Sequence, residues 1–191
     1  MPAFGNSRTH EMVKAAMFTA LLCVIAPFTV PIGPIPVSLA TFAVYLAGAV
    51  LGWKYGCASV ICYLLSGMCG IPVFSGFSAG AAKLAGPTGG FLIGYIPCVL
   101  ITGLAADAVR KSERRGPVIS LVWRIVGMLA GTAACYLCGL VWYTTLTGQS
   151  FREGLAVCVI PFLAGDSIKI GCAAALSEAV RAAVTAYRGR A

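Results

Sequence analysis

Charge is scarce in this sequence. Of its 191 residues, 10% are Asp, Glu, Lys or Arg and 59% are apolar, with a mean hydropathy of +0.90. A soluble domain needs about 25% charged residues, so an ordinary water-soluble fold is excluded. Histidine is almost missing as well. His10, in a polar N-terminal stretch, is the only one, which argues against a multi-histidine metal site. No Gly-x-x-x-x-Gly-Lys-Ser/Thr loop occurs, so the chain has no means of hydrolysing ATP by itself. Basic residues outnumber acidic ones 14 to 6, a formal charge of +8, yet they are scattered between apolar segments. No continuous basic face of the kind that binds nucleic acid can be drawn.

Long apolar runs are what the sequence does have. A helix crosses a bilayer with about 20 apolar residues, and the chain reads as an all-α polytopic membrane protein of six transmembrane helices, at 12–30, 37–52, 57–69, 91–108, 118–143 and 155–184. These form one six-helix domain over 1–191, with short tails at about 1–11 and 186–191. The first run is too long for a signal-peptide core and no small-residue cleavage site follows it, so it is expected to be retained. Between the first two spans, Pro31, Gly33, Pro34 and Pro36 forbid a helix and predict a stiff, uncharged loop. The second span ends at Trp53 and Lys54, with a sharp turn at Gly56. From Gly70 to Gly90, between helices 3 and 4, glycines and prolines predict an irregular loop, which survives near a membrane only if it lines a cavity or is buried in protein.

Basic residues orient the bundle. Arg8, Lys14, Lys54, Arg110, Lys111, Arg114, Arg115, Arg181, Arg188 and Arg190 fall on the side of the termini, whereas only Lys83 and Arg152 fall on the other. Positive residues favour the cytoplasmic face, so both termini are expected in the cytoplasm and the glycine-rich loop outside. Arg124, less than two turns into the fifth span, is expected to snorkel to the headgroups. The nine cysteines lie almost entirely in apolar stretches and read as small hydrophobes. Cys135 and Cys138 form a Cys-x-x-Cys that leaves a membrane thiol oxidoreductase open as an alternative, although no basic neighbour is there to activate a thiol.

Asp166 and Lys169 stand three apart within the last span and so share one helix face. Charges inside a bilayer face a bundle interior or polar cavity. The spacing admits two readings: a neutralising pair that holds helices together, or a ligand-gripping pair. A carboxylate beside an ammonium suits a urea-like or amide-like group, whose N–H donors flank a carbonyl. Ala16 and Ala20, four apart on the first span, let another helix approach closely. Gly48 with Gly52, and Gly127 with Gly131, have the same spacing and read as contacts within the bundle.

The stretches Pro34-Ile35-Pro36-Val37-Ser38-Leu39-Ala40-Thr41-Phe42, Gly70-Ile71-Pro72-Val73-Phe74, Gly86-Pro87-Thr88-Gly89-Gly90-Phe91-Leu92-Ile93-Gly94-Tyr95 and Pro161-Phe162-Leu163-Ala164-Gly165-Asp166-Ser167-Ile168-Lys169 together resemble the BioY family. Its members are biotin-binding S components of energy-coupling factor (ECF) transporters. The resemblance covers about residues 15–174. It implies a substrate-capture subunit of the inner membrane, not an enzyme, with no cofactor of its own. Its partners would be biotin, a transmembrane coupling subunit and two ATPase subunits that alone use ATP. Asp166 and Lys169 would hold the ureido group and Phe74, Tyr95 and Tyr136 the apolar body. Thr88 and Gly89 belong to the glycine-rich motif, and Lys83 is a candidate for the carboxylate. Ala16 and Ala20 would dock on the coupling subunit. Where family members often carry glutamine after the proline-rich loop this chain has Ala40, which removes a polar contact there. An S component for another vitamin, and a carrier working without ATPases, remain open alternatives at this level. For orientation the expected outcome is clear: in a cysteine-free background, a cysteine at Arg152 reacts with a membrane-impermeant maleimide in intact cells and one at Ser112 does not.

Overall fold

The computed structural model describes residues 7–30, 37–111 and 116–188. The proline-rich loop at 31–36, residues 112–115 of the basic turn and the ends of both tails lie outside the described residues. Seven helices are present among the described residues: α1 (Ser7–Ile25), α2 (Ala40–Met68), α3 (Ala81–Ala85), α4 (Gly89–Lys111), α5 (Pro117–Thr147), α6 (Phe151–Cys158) and α7 (Ile160–Arg188). Four of them, α2, α4, α5 and residues 160–180 of α7, are long and apolar enough to cross a membrane, so this is a helical multi-pass membrane protein. The all-α expectation holds, with one small addition. Strands β1 (Thr29–Val30) and β2 (Val37–Ser38) pair antiparallel, with Thr29 opposite Ser38, and close the loop between α1 and α2 at its root.

Helix α2 is two helical arms. Gly52 breaks it with φ 80 and ψ −177, a backbone conformation that side-chain-bearing residues avoid. A Cβ placed on Gly56 would lie 3.3 Å from the Ala47 carbonyl and 3.4 Å from the Gly48 Cα. In one continuous helix residues eight apart are separated by about 12 Å, so the chain doubles back on itself. The reversal falls at Gly52 rather than at Gly56, because α4 supplies caps for both arms there. Asp107 accepts from the Trp53 N–H at 3.2 Å and Arg110 donates to the Ala49 carbonyl at 3.3 Å and to the Val50 carbonyl. An Asp107–Arg110 contact at 3.3 Å joins the two caps. The end groups that a broken helix leaves unpaired are thus met by one turn of α4.

Glycine sets the spacing of α4 on its neighbours. A Cβ on Gly131 of α5 would fall 2.7 Å from the Cys98 carbonyl, one on Gly127 would meet Ala105, and one on Gly94 would fall 3.0 Å from the Cys135 carbonyl. Gly48 likewise faces Thr102 at 3.0 Å. These small residues bring backbones together as in other membrane helix pairs, and both glycine pairs noted in the sequence are contacts within the bundle.

Two further expectations are corrected. The last span does not run unbroken from 155: it is split into α6 and α7 at Val159 (φ −124, ψ −55). Pro161 has no N–H to donate back into the preceding turn, and α7 restarts with Phe162 and Leu163 donating to the Val159 carbonyl. Ser150 and Glu153 close a reciprocal capping box at the start of α6. Arg124 does not snorkel. It is 1% exposed and its guanidinium turns inward to Ser177 Oγ at 3.1 Å and Glu178 at 3.0 Å. Partners on α7, distant in sequence, outcompete the headgroups.

The packing makes a paired prediction. Gly103 has the Trp53 backbone against it, whereas Gly171 has nothing within 4 Å. Gly103→Ala therefore destabilises the purified protein by about 1–3 kcal/mol, seen as a lower thermal midpoint, while Gly171→Ala leaves the midpoint unchanged or raises it.

Candidate functional site

The site is assembled at the end of the bundle where α1 finishes and α2, α4 and α7 begin. Ser38 anchors it. Its hydroxyl donates to the Ala26 carbonyl at 2.9 Å and accepts from the Ala40 N–H at 3.0 Å, pinning the end of α1 to the start of α2. Its own carbonyl accepts from Lys169 Nζ at 2.7 Å, which ties this root to α7.

About two turns into α7, Asp166 and Lys169 are 3% and 9% exposed and contact each other at 2.7 Å. Burying two charges is tolerated only when their remaining donors and lone pairs are met. Here Thr41 donates to Asp166 Oδ1 at 3.1 Å and accepts from Lys169 at 3.1 Å, while the Tyr136 hydroxyl donates to Asp166 Oδ2 at 2.5 Å. Three separate elements, α2, α5 and α7, therefore converge on one carboxylate.

Beside this network lies a small pocket of about 40 Å³, room for a few water molecules, so a larger ligand enters only as the walls part. Ser38, Thr41, Ser75, Thr88, Tyr136 and Lys169 give it polar wall, and Phe91, Leu92, Tyr95, Cys135 and Phe162 give it apolar wall. It faces a pair of loops that hold each other. The Gly76 N–H donates to the Pro27 carbonyl at 3.0 Å, and Phe28 and Phe77 meet edge to face at 5.7 Å. Charge at one wall and aromatic surface at another suit a ligand with a polar head and an apolar body.

Of the residues singled out in the sequence, Lys169, Tyr95, Tyr136 and Thr88 line this cavity. Thr88 closes the first turn of α4 by accepting from Phe91 and Leu92 through its carbonyl, and its buried hydroxyl has no hydrogen-bond partner among the described residues. Asp166 stands one layer behind the wall. Phe74 is fully buried against Tyr63, edge to face at 5.7 Å, and over Gly67, so it packs beneath the loop rather than lining the cavity. Gly89 lets α4 start hard against the Leu84 carbonyl. Lys83, on α3, is not among the lining residues. Ala16 and Ala20 are exposed on the outer face of α1, away from this site. Cys135 lines the cavity and donates to the Phe91 carbonyl at 3.6 Å, whereas Cys138 borders a separate groove between α4 and α5. All nine cysteines are free.

Ser38, Thr41 and Ser75 escaped the sequence reading. Hydroxyls in loops and first turns are too common to stand out, and the signal that could have found the first two was their position immediately after the proline-rich loop.

Known proteins share this fold. A solved structure described as the S-component for biotin from an ECF-type ABC transporter superposes with a TM-score of 0.81 at 25% identity, over 94% of this chain and 95% of that one. The biotin transporter BioY of Thermotoga maritima is 38% identical over 168 residues, 88% of this chain and 94% of the relative. A probable biotin transporter BioY of Pyrococcus horikoshii is 37% identical over 171 residues, 90% and 96% of the two chains. The model of the BioY family itself matches residues 2–186. Matched along nearly its whole length, and by relatives of equal extent, this chain belongs to the BioY family.

Proposed function

We propose that this protein is the biotin-capturing S component of an ECF-type transporter. The observation that carries the reading is the buried Asp166–Lys169 pair, which with its partners sets Lys169, Thr41 and Tyr136 on the wall of a cavity that is aromatic elsewhere. A bicyclic urea offers N–H groups on either side of a carbonyl, which match an anionic acceptor beside a cationic donor. Phe91, Tyr95 and Phe162 suit the sulfur ring and aliphatic chain. The Thr88 hydroxyl, without a partner among the described residues, offers a donor for the far carboxylate; Lys83 does not line the cavity.

With α2 counted as two arms the bundle has six spans, both termini on the cytoplasmic side of the inner membrane and the cavity opening outward. The basic-residue bias supports this orientation. Lacking a nucleotide-binding loop, the chain depends on a coupling subunit and two ATPases for energy, and it needs no cofactor of its own. Ala16, with Met12, Thr19 and Tyr55, borders an apolar groove of about 360 Å³ between α1 and the second arm of α2. Small exposed residues beside such a groove suit a helix of the coupling subunit. Loading closes the two interlocked loops, after which the bundle reorients to present its cargo inward.

Titration of the purified chain with biotin tests the reading. Wild type binds biotin and neither thiamine nor riboflavin competes. Asp166→Asn and Lys169→Ala each weaken binding by about 2–5 kcal/mol, the cost of leaving one buried charge unpaired. A wild-type protein that ignores biotin, or variants that match wild type, would overturn it. For the docking face, Ala16→Leu with Ala20→Leu keeps biotin affinity while the coupling subunit no longer co-purifies.

A further inference from the structure

With biotin as the ligand, its head group sits at the Asp166–Lys169 pair, and any role for the residues around that pair rests on this reading. Asp166, however, has no place on the cavity wall. Its Oδ1 is taken by Lys169 and Thr41 and its Oδ2 by Tyr136. The groups that reach the cavity at this point are Thr41, Tyr136 and Lys169.

Thr41 is placed between the charges in a particular sense. A hydroxyl has one proton and two lone pairs. The proton goes to Asp166 Oδ1 at 3.1 Å and one lone pair receives a Lys169 N–H at 3.1 Å. Lys169 has three N–H groups, and three acceptors surround them: Asp166 Oδ1 at 2.7 Å, the Ser38 carbonyl at 2.7 Å and Thr41. Thr41 is the most distant of the three. It is also the only one of them carried on a side chain of the cavity wall, the Ser38 acceptor being backbone held by β2. A carbonyl arriving from the cavity therefore competes most easily for the N–H directed at Thr41.

We propose that Thr41 is a specificity-determining residue that delivers the charge of Asp166 to the ligand. Its hydroxyl keeps donating to Asp166, yields the Lys169 N–H to the ligand carbonyl, and accepts the ring N–H next to that carbonyl. The oxygen and nitrogen of a urea edge lie about 2.3 Å apart by bond geometry, and Lys169 Nζ and Thr41 Oγ1, 3.1 Å apart, face them as a donor–acceptor pair. Because its proton is committed to a carboxylate, the Thr41 oxygen is a stronger acceptor than an isolated hydroxyl. The site thereby selects a carbonyl flanked by N–H over heads that only donate or only accept.

The test pairs variants with ligand analogues on the purified full chain. The analogues are two cyclic carbamates, each with oxygen in place of one ureido N–H of biotin. In wild type, the carbamate that lacks the N–H facing Thr41 binds at least about tenfold more weakly than biotin. In Thr41→Val, biotin itself weakens by about ten- to a hundredfold and the penalty for that carbamate disappears. Thr41→Ser, which restores the hydroxyl, stays within about threefold of wild type for every ligand. A merely structural role for Thr41 would weaken all ligands by one factor and keep their ratios, as a double-mutant cycle reads directly. Unchanged ratios in Thr41→Val, or biotin affinity equal to wild type, overturn the role of Thr41 while leaving the assignment of biotin standing. Wild type that does not bind biotin overturns the assignment itself. If Thr41→Val does not yield folded protein, Thr41→Ala is read against the same ratios.

Discussion

A carboxylate and an ammonium buried side by side inside a membrane bundle govern the rest of this structure. Left incompletely paired, either charge would cost several kcal/mol. The fold answers with groups drawn from distant parts of the chain: a backbone carbonyl and a hydroxyl from the start of α2, a phenol from α5, and the two charges themselves from α7. None of these can shift alone. The start of α2 is fixed through Ser38 to the end of α1, and α5 is fixed through its glycines to α4. A site that demands complete satisfaction therefore also makes its surroundings rigid, and rigidity is what lets one hydroxyl discriminate between similar head groups.

At the other end of the bundle a second polar cluster does different work. Asp107 and Arg110 cap the two arms of α2 where Gly52 reverses the chain. Arg124 meets Ser177 and Glu178 between α5 and α7. The bundle thus has a polar clasp at each end. The clasp at the α2 start lines a cavity.

Much of this was open to a reader of the sequence. Apolar runs separated by Pro, Gly and charge located the helices, because lipid rewards long apolar helices strongly. Asp166 and Lys169 stood out because ionised residues are rare in such runs. What stayed hidden depended on partners far away in sequence. The reversal at Gly52 needs Asp107 and Arg110, fifty-odd residues later, to cap it. Arg124 looks like a surface residue until Glu178 is seen across from it. Thr41 is one hydroxyl among many until α7 packs beside it, and Phe74 and Tyr95, equally aromatic, part company only when Gly67 makes room for one of them.

The shortness of the first arm of α2 has a consequence for how the chamber is sealed. Residues 40–51 rise only about 18 Å, whereas the hydrocarbon of a bilayer is about 30 Å thick. Near the Ser38 end of this short arm the loops meet through Gly76, Pro27, Phe28 and Phe77. The two loops are thereby held together over that end of the arm. Because Ser75, next to Gly76, lines the pocket together with Lys169, parting the loops would open the wall beside the ion pair without any helix having to move.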